Sequence, residues 1–76
     1  MSIQESIVNE IKELRTRNNI TQEQLSRLSG VPFATINRLE NRKGNPTLST
    51  LQKILDVFGY QLSIVRKPPT EENTNG

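Results

Sequence analysis

Ala34, Asn37, Arg38 and Asn41 carry the most specific chemistry in this sequence. Counted from Ala34 they fall at i, i+3, i+4 and i+7, which places all four on one face of a helix. Each has a counterpart on a base edge in the DNA major groove. A guanidinium grips O6 and N7 of guanine, a carboxamide grips N6 and N7 of adenine, and an alanine methyl meets the thymine methyl. At 100° per residue, Ile36 and Leu39 point the other way. An inward apolar pair thus backs an outward polar stripe, although any surface helix has a solvated face. Phe33 lies roughly 90° from the core direction. It is either an edge of the core or an exposed aromatic that packs on thymine methyls, and the second role explains better why an aromatic is there.

Residues flanking the stripe suit phosphate. Gln22 opens a preceding helix, where free amides and the positive end of the dipole favour an anion. Thr35, Asn41, Arg42 and Lys43 border the third helix and complete the expected phosphate-contacting set. Ordinary solvation is the competing reading for a loop Arg or Lys, and the clustering of these groups beside one helix argues against it.

Composition narrows the chemistry further. The 76 residues hold no His and no Cys. The commonest general base, the best nucleophile and the commonest zinc ligands are therefore lacking. No Gly-rich phosphate loop occurs either, so neither an enzyme nor a cofactor or metal site is expected. No signal-like segment or membrane-length apolar run is present, which makes a cytoplasmic location the expectation. The net charge is +2, with Glu71 and Glu72 in a Pro-rich polar tail, residues 68–76, expected to be disordered. Residues 1–67 then carry ten basic and six acidic groups, a moderate basic bias compatible with phosphate binding. A chain this short hides only about 60% of its unfolded surface on folding, so close helix packing, a second copy, or both must supply stability.

The elements that would position the stripe are marked by caps. Residues 2–17 read as an amphipathic helix with Ile3, Ile7, Ile11 and Leu14 inward, Val8 beside them, and Ser2 with Glu5 as a capping box. Asn18 and Asn19 are its terminators, since Asn tolerates the left-handed region. Thr21 with Gln24 is a second capping box, opening a helix over 21–29 whose Ile20 and Leu25 form a hydrophobic staple. Gly30 stops that helix. A third helix covers about 32–41, with Pro32 in its first turn. Thr47 caps a fourth, 48–58, with Leu48, Leu51, Leu55 and Phe58 inward, Ile54 adjacent and Gly59 at its end. From Tyr60 to Val65 the period changes to two: Leu62 and Ile64 alternate with Gln61 and Ser63, as in a half-buried strand. A lone strand leaves backbone groups unpaired, and a second copy would satisfy them. An irregular extension packed on the fourth helix is the alternative.

Helix, Gly turn and helix within about twenty residues is the arrangement that sets a recognition helix into the major groove. The runs Thr21-Gln22-Glu23-Gln24-Leu25, Ser29-Gly30-Val31, Thr35-Ile36-Asn37-Arg38-Leu39-Glu40-Asn41 and Asn45-Pro46-Thr47-Leu48 resemble the Cro/lambda-repressor-like (Xre-type) DNA-binding domains over residues 7–58. By that resemblance Phe33, Ala34, Asn37 and Arg38 stand where base contacts fall. Gln22, Thr35 and Asn41 take phosphate-contacting or helix-orienting positions, and Arg15 and Glu40 form a structural ion pair between the first and third helices. Pro32 and Phe33 depart from the polar residues often found there. The segment after Phe58, ending in Arg66-Lys67, resembles the HipB-type antitoxins, in which such a strand pairs with that of a second subunit. The resemblance implies a homodimeric repressor of a palindromic operator that also binds a HipA-like kinase toxin.

The expected architecture is therefore all-α: a compact four-helix helix-turn-helix domain over 1–59, and a C-terminal dimerising β-strand over 60–67 that uses Tyr60, Leu62 and Ile64. The expected function is sequence-specific repression as an autoregulating antitoxin. A stand-alone phage-type or metabolic repressor is the alternative, as is a protein-interaction module that has lost DNA binding.

Overall fold

The computed structural model describes residues 2–66. Four helices follow one another, α1 (Ile3–Arg17), α2 (Gln22–Ser29), α3 (Phe33–Glu40) and α4 (Leu48–Val57). Local chemistry sets most of their ends. The Ser2 hydroxyl accepts from the Glu5 amide at 3.1 Å while the Glu5 carboxylate accepts from the Ser2 amide at 3.0 Å. Thr21 and Gln24 repeat this reciprocal pair at 3.0 and 2.8 Å. Each box satisfies two amides that have no partner within the helix. Thr47 caps α4 by accepting from the Thr50 amide. Gly30 ends α2 at φ +77° and Asn19 follows α1 at φ +56°, both in the left-handed region.

α3 starts differently. Pro32 is its N-cap, with extended ψ of 143° and no side-chain cap, one position earlier than the first-turn placement expected from sequence. Its carbonyl accepts from the Thr35 and Ile36 amides. Proline has no amide to satisfy at either position, so its chemistry alone does not separate N-cap from first turn. The turn between α2 and α3 is fixed by Ser26 donating to the Val31 carbonyl at 2.6 Å and by Val31 donating to Ser29 Oγ. Val31 is itself buried, so the turn is anchored in the core.

One apolar core joins the helices: Val8, Ile11 and Leu14 of α1, Leu25 of α2, Val31 of the turn, Ile36 and Leu39 of α3, and Leu51, Ile54 and Leu55 of α4. Ile20 packs against it, as a staple partner of Leu25 should. Two expected core residues lie outside it: Ile3 is 80% exposed and Leu48 73%. Both sit in the first turn of a helix, where side chains lean toward the N-terminus and overhang the rim of the core. With Ile7, Pro46 and Leu51 they line a shallow cleft instead.

The expected strand is absent. Among the described residues there is no strand, and 60–66 form a segment without regular secondary structure. Leu62 packs on the core, whereas Ile64 and Val65 are fully or largely exposed. The Tyr60 amide donates to the Leu55 carbonyl, and one side chain on α4 supplies two further backbone partners. Gln52 Nε2 donates to the Tyr60 carbonyl at 3.2 Å, and Gln52 Oε1 accepts from the Leu62 amide at 2.8 Å. The expected alternation is therefore not realised past Leu62, and a carboxamide of α4 stands in place of a neighbouring strand. Residues 68–76, the expected disordered tail, and Lys67 lie outside the described residues.

Candidate nucleic-acid interface

α3 packs against α2 and α1, with Ile36 fully buried and Leu39 nearly so. Its opposite face carries Ala34, Asn37, Arg38 and Asn41, all exposed. The stripe expected from spacing is therefore present as one surface. Phe33, beside it at the start of α3, is 46% exposed and is not part of the core. Thr35 is half-buried, and Lys43 is exposed in the loop after α3.

Behind the stripe lies an ion pair. Arg15 of α1 presents its fork to Glu40 of α3, with Nε on Oε2 at 2.7 Å and Nη2 on Oε1 at 2.8 Å. Its Nη1 donates to the Ile20 carbonyl, so the same side chain also fixes the α1–α2 connection. Glu40 is 5% exposed, and its side chain accepts a further bond from Gln22 Nε2 at 2.9 Å. Burial pushes the Glu40 carboxyl up, but the hydrogen bonds from Arg15 and Gln22, with the charges of Arg15 and Lys12, outweigh it and hold the group below the usual carboxylate range. The Glu40 hydrogen bond raises Arg15 correspondingly, so both partners are charged. No buried side-chain polar atom among the described residues lacks a partner.

From Glu40 the hydrogen bonds continue outward. Asn37 Nδ2 donates to Gln22 Oε1 at 3.1 Å, and Asn41 Nδ2 donates to Asn37 Oδ1 at 3.2 Å. Gln22 is thus half-buried and engaged with two protein partners, rather than held out at the start of α2. Arg42, at φ +59°, ties the loop to α1 by donating to Asn9 Oδ1 at 2.7 Å. Gly44 belongs to the run Arg42-Lys43-Gly44-Asn45-Pro46, a loop by composition, which does not by itself reveal its neighbour. It adopts φ +75°, and a Cβ there would lie 3.1 Å from Arg38 Nη2, so the loop passes directly beside the Arg38 guanidinium. Its place in a Lys-Gly-Asn-Pro loop was the available signal.

Arginine and carboxamides on an exposed helix face, with the helix clamped to its neighbours by a bidentate ion pair, can read base edges in a groove. The comparisons point the same way. The family model described as Helix-turn-helix matches residues 11–65. The chain is 38% identical over 53 residues to the HTH-type transcriptional regulator PuuR of Escherichia coli, covering 70% of this chain and 29% of that protein. It is 44% identical over 52 residues to an uncharacterized HTH-type transcriptional regulator of Archaeoglobus fulgidus, covering 68% of this chain and 73% of the other. It is also 41% identical over 58 residues to the antitoxin HipB of Escherichia coli, covering 76% and 66% respectively. The chain spans less than a third of the length of PuuR. No solved structure matches it. Among the described residues no helix is long and apolar enough to cross a membrane.

Proposed function

Because the chain belongs to the helix-turn-helix family of transcriptional regulators, we propose that it is a sequence-specific repressor that binds a two-fold operator as a homodimer. The observation that carries this reading is the α3 face, where Asn37 and Arg38 stand exposed above a buried Ile36 and Leu39. Phe33, Ala34, Asn37 and Arg38 face the bases. Thr35, Asn41, Arg42 and Lys43 lie along the phosphates at the edge of the groove.

Arg38→Ala tests the reading. If the contact is bidentate, binding to the operator falls by about 1–3 kcal/mol and preference relaxes at one base position. Titration of operator duplexes with each base substituted in turn measures both. Equal losses on operator and random duplexes would make Arg38 a phosphate contact.

The dimer rests on Tyr60, Ile64 and Val65, which are exposed on the C-terminal segment although two of them are aliphatic. Leu62 contributes by holding that segment on the core. Ile64→Asp is expected to leave the monomer folded, because the side chain touches nothing in it, yet to cut operator affinity at least tenfold, since each monomer then grips one half-site. Sedimentation that shows the same dimer as the parent protein would remove this interface.

An antitoxin role is the narrower form of the proposal, supported by similarity to HipB along most of both chains. The partner would be a kinase toxin. Co-expression with a kinase-like protein encoded by the adjoining reading frame should restore growth that the kinase alone arrests, and unrelieved arrest would leave the repressor reading without the antitoxin one.

A further inference from the structure

The carboxamides of Gln22, Asn37 and Asn41 form a chain with only one consistent sense. Glu40 is ionised and can only accept. Gln22 must therefore turn its Nε2 inward to Glu40 Oε1, and its Oε1 outward. The outward oxygen accepts from Asn37 Nδ2, and Asn37 Oδ1 in turn accepts from Asn41 Nδ2. The nitrogen–oxygen ambiguity of a surface amide does not arise, because a buried carboxylate fixes the first link and each link fixes the next.

This leaves Asn37 with a defined remainder. A carboxamide has two N–H groups and two oxygen lone pairs. One N–H is on Gln22 and one lone pair is on Asn41. One donor and one acceptor remain on an exposed side chain of the stripe. That complement matches the adenine edge, N7 acceptor beside N6 donor, and not the two acceptors of guanine.

We infer that Gln22 is a positioning residue for base recognition: it relays the polarity of Glu40 to Asn37 and so commits Asn37 to adenine. The inference rests on the DNA-binding reading above and narrows it to one base at one position. It also changes the part expected of Gln22, whose amide is directed at Asn37 instead of a phosphate. Asn41 keeps one N–H beyond the chain, which suits it to a phosphate oxygen.

Selection of duplexes from a randomised pool by the full chain, followed by titration on the enriched site and its three base variants at each position, tests the relay. Asn37→Ala should remove a preference for adenine at one position, a loss of roughly 5–150-fold in the ratio of affinities. Gln22→Ala should reduce the same ratio at the same position. In the Asn37→Ala background it should change that ratio no further. Gln22→Met, close in volume, should act like Gln22→Ala, and circular dichroism on each variant separates lost preference from lost fold. The relay is overturned if Gln22→Ala and Gln22→Met weaken all four base variants equally with the adenine ratio intact, which would make Gln22 a phosphate contact. It is equally overturned if Asn37→Ala changes no adenine preference. Failure of the parent protein to enrich any sequence overturns the DNA-binding reading and the relay with it, so the two failures are distinct.

Discussion

Glu40→Ala is expected to cost about 3 kcal/mol of folding stability, the lower end of the 3–5 kcal/mol typical when one partner of a buried ion pair is removed. The lower end applies because the Arg15 side chain keeps 15% of its exposure and so recovers some water once its partner is gone. In a domain of this size each kcal/mol lowers Tm by roughly 4–8 °C, so thermal unfolding reads the effect directly. The paired replacement Arg15→Met with Glu40→Leu leaves no stranded charge and should cost much less, as buried pairs exchanged for apolar residues often do. Near-equal losses in the single and double variants would show that packing, and not charge, accounts for the effect.

The same pair sets an acid limb. Glu40 is held below its unfolded value, so the stability it confers is complete above the ordinary carboxylate range and fades as pH falls through the folded value. Unfolding of the parent protein should therefore become easier below about pH 4. The double variant should show a shallower decline over that range. Parallel acid profiles would assign the limb to other carboxylates.

Ile36→Ala is the second large effect, at about 2–5 kcal/mol from lost transfer energy and the cavity left behind. Ile36 has no exposure and lies under the stripe, so its loss loosens α3 at the site where orientation matters. Small domains sit near the bottom of the range of roughly 5–15 kcal/mol, so denaturant titration should find Ile36→Ala with only about 0–3 kcal/mol of stability left. Ile36→Val, costing about 0.5–1.5 kcal/mol, should remain folded and bind DNA. If both variants unfold alike, the site tolerates no change and the cavity argument is wrong.

Much of the scaffold was legible because its signals are local. The Ser2–Glu5 and Thr21–Gln24 boxes, the left-handed Gly30 and the opposed faces of α3 all follow from residues within about two turns of each other. Ile3 and Leu48 were misread because periodicity gives the direction of a side chain but not where the core stops along the helix. The strand was misread because alternation puts Leu62 and Ile64 on one face, whereas only Leu62 reaches the core and Ile64 is fully exposed. For the site, the exposure of Ala34, Asn37, Arg38 and Asn41 was readable from spacing, and the Arg15–Glu40 pair from family resemblance. The path from Glu40 through Gln22 to Asn37 was not, since it joins residues 15 and 18 positions apart whose meeting depends on how α2 crosses α3. Gly44 beside Arg38 is hidden for the same reason.

Gln52 touches the chain at two backbone points spaced two residues apart, the Tyr60 carbonyl and the Leu62 amide. Gln52 thereby clasps the start of the C-terminal run to α4 at the point where Leu62 reaches the core. A helix side chain, and not a neighbouring strand, is thus the last anchor of the run, and Ile64 and Val65 just past it stand in water.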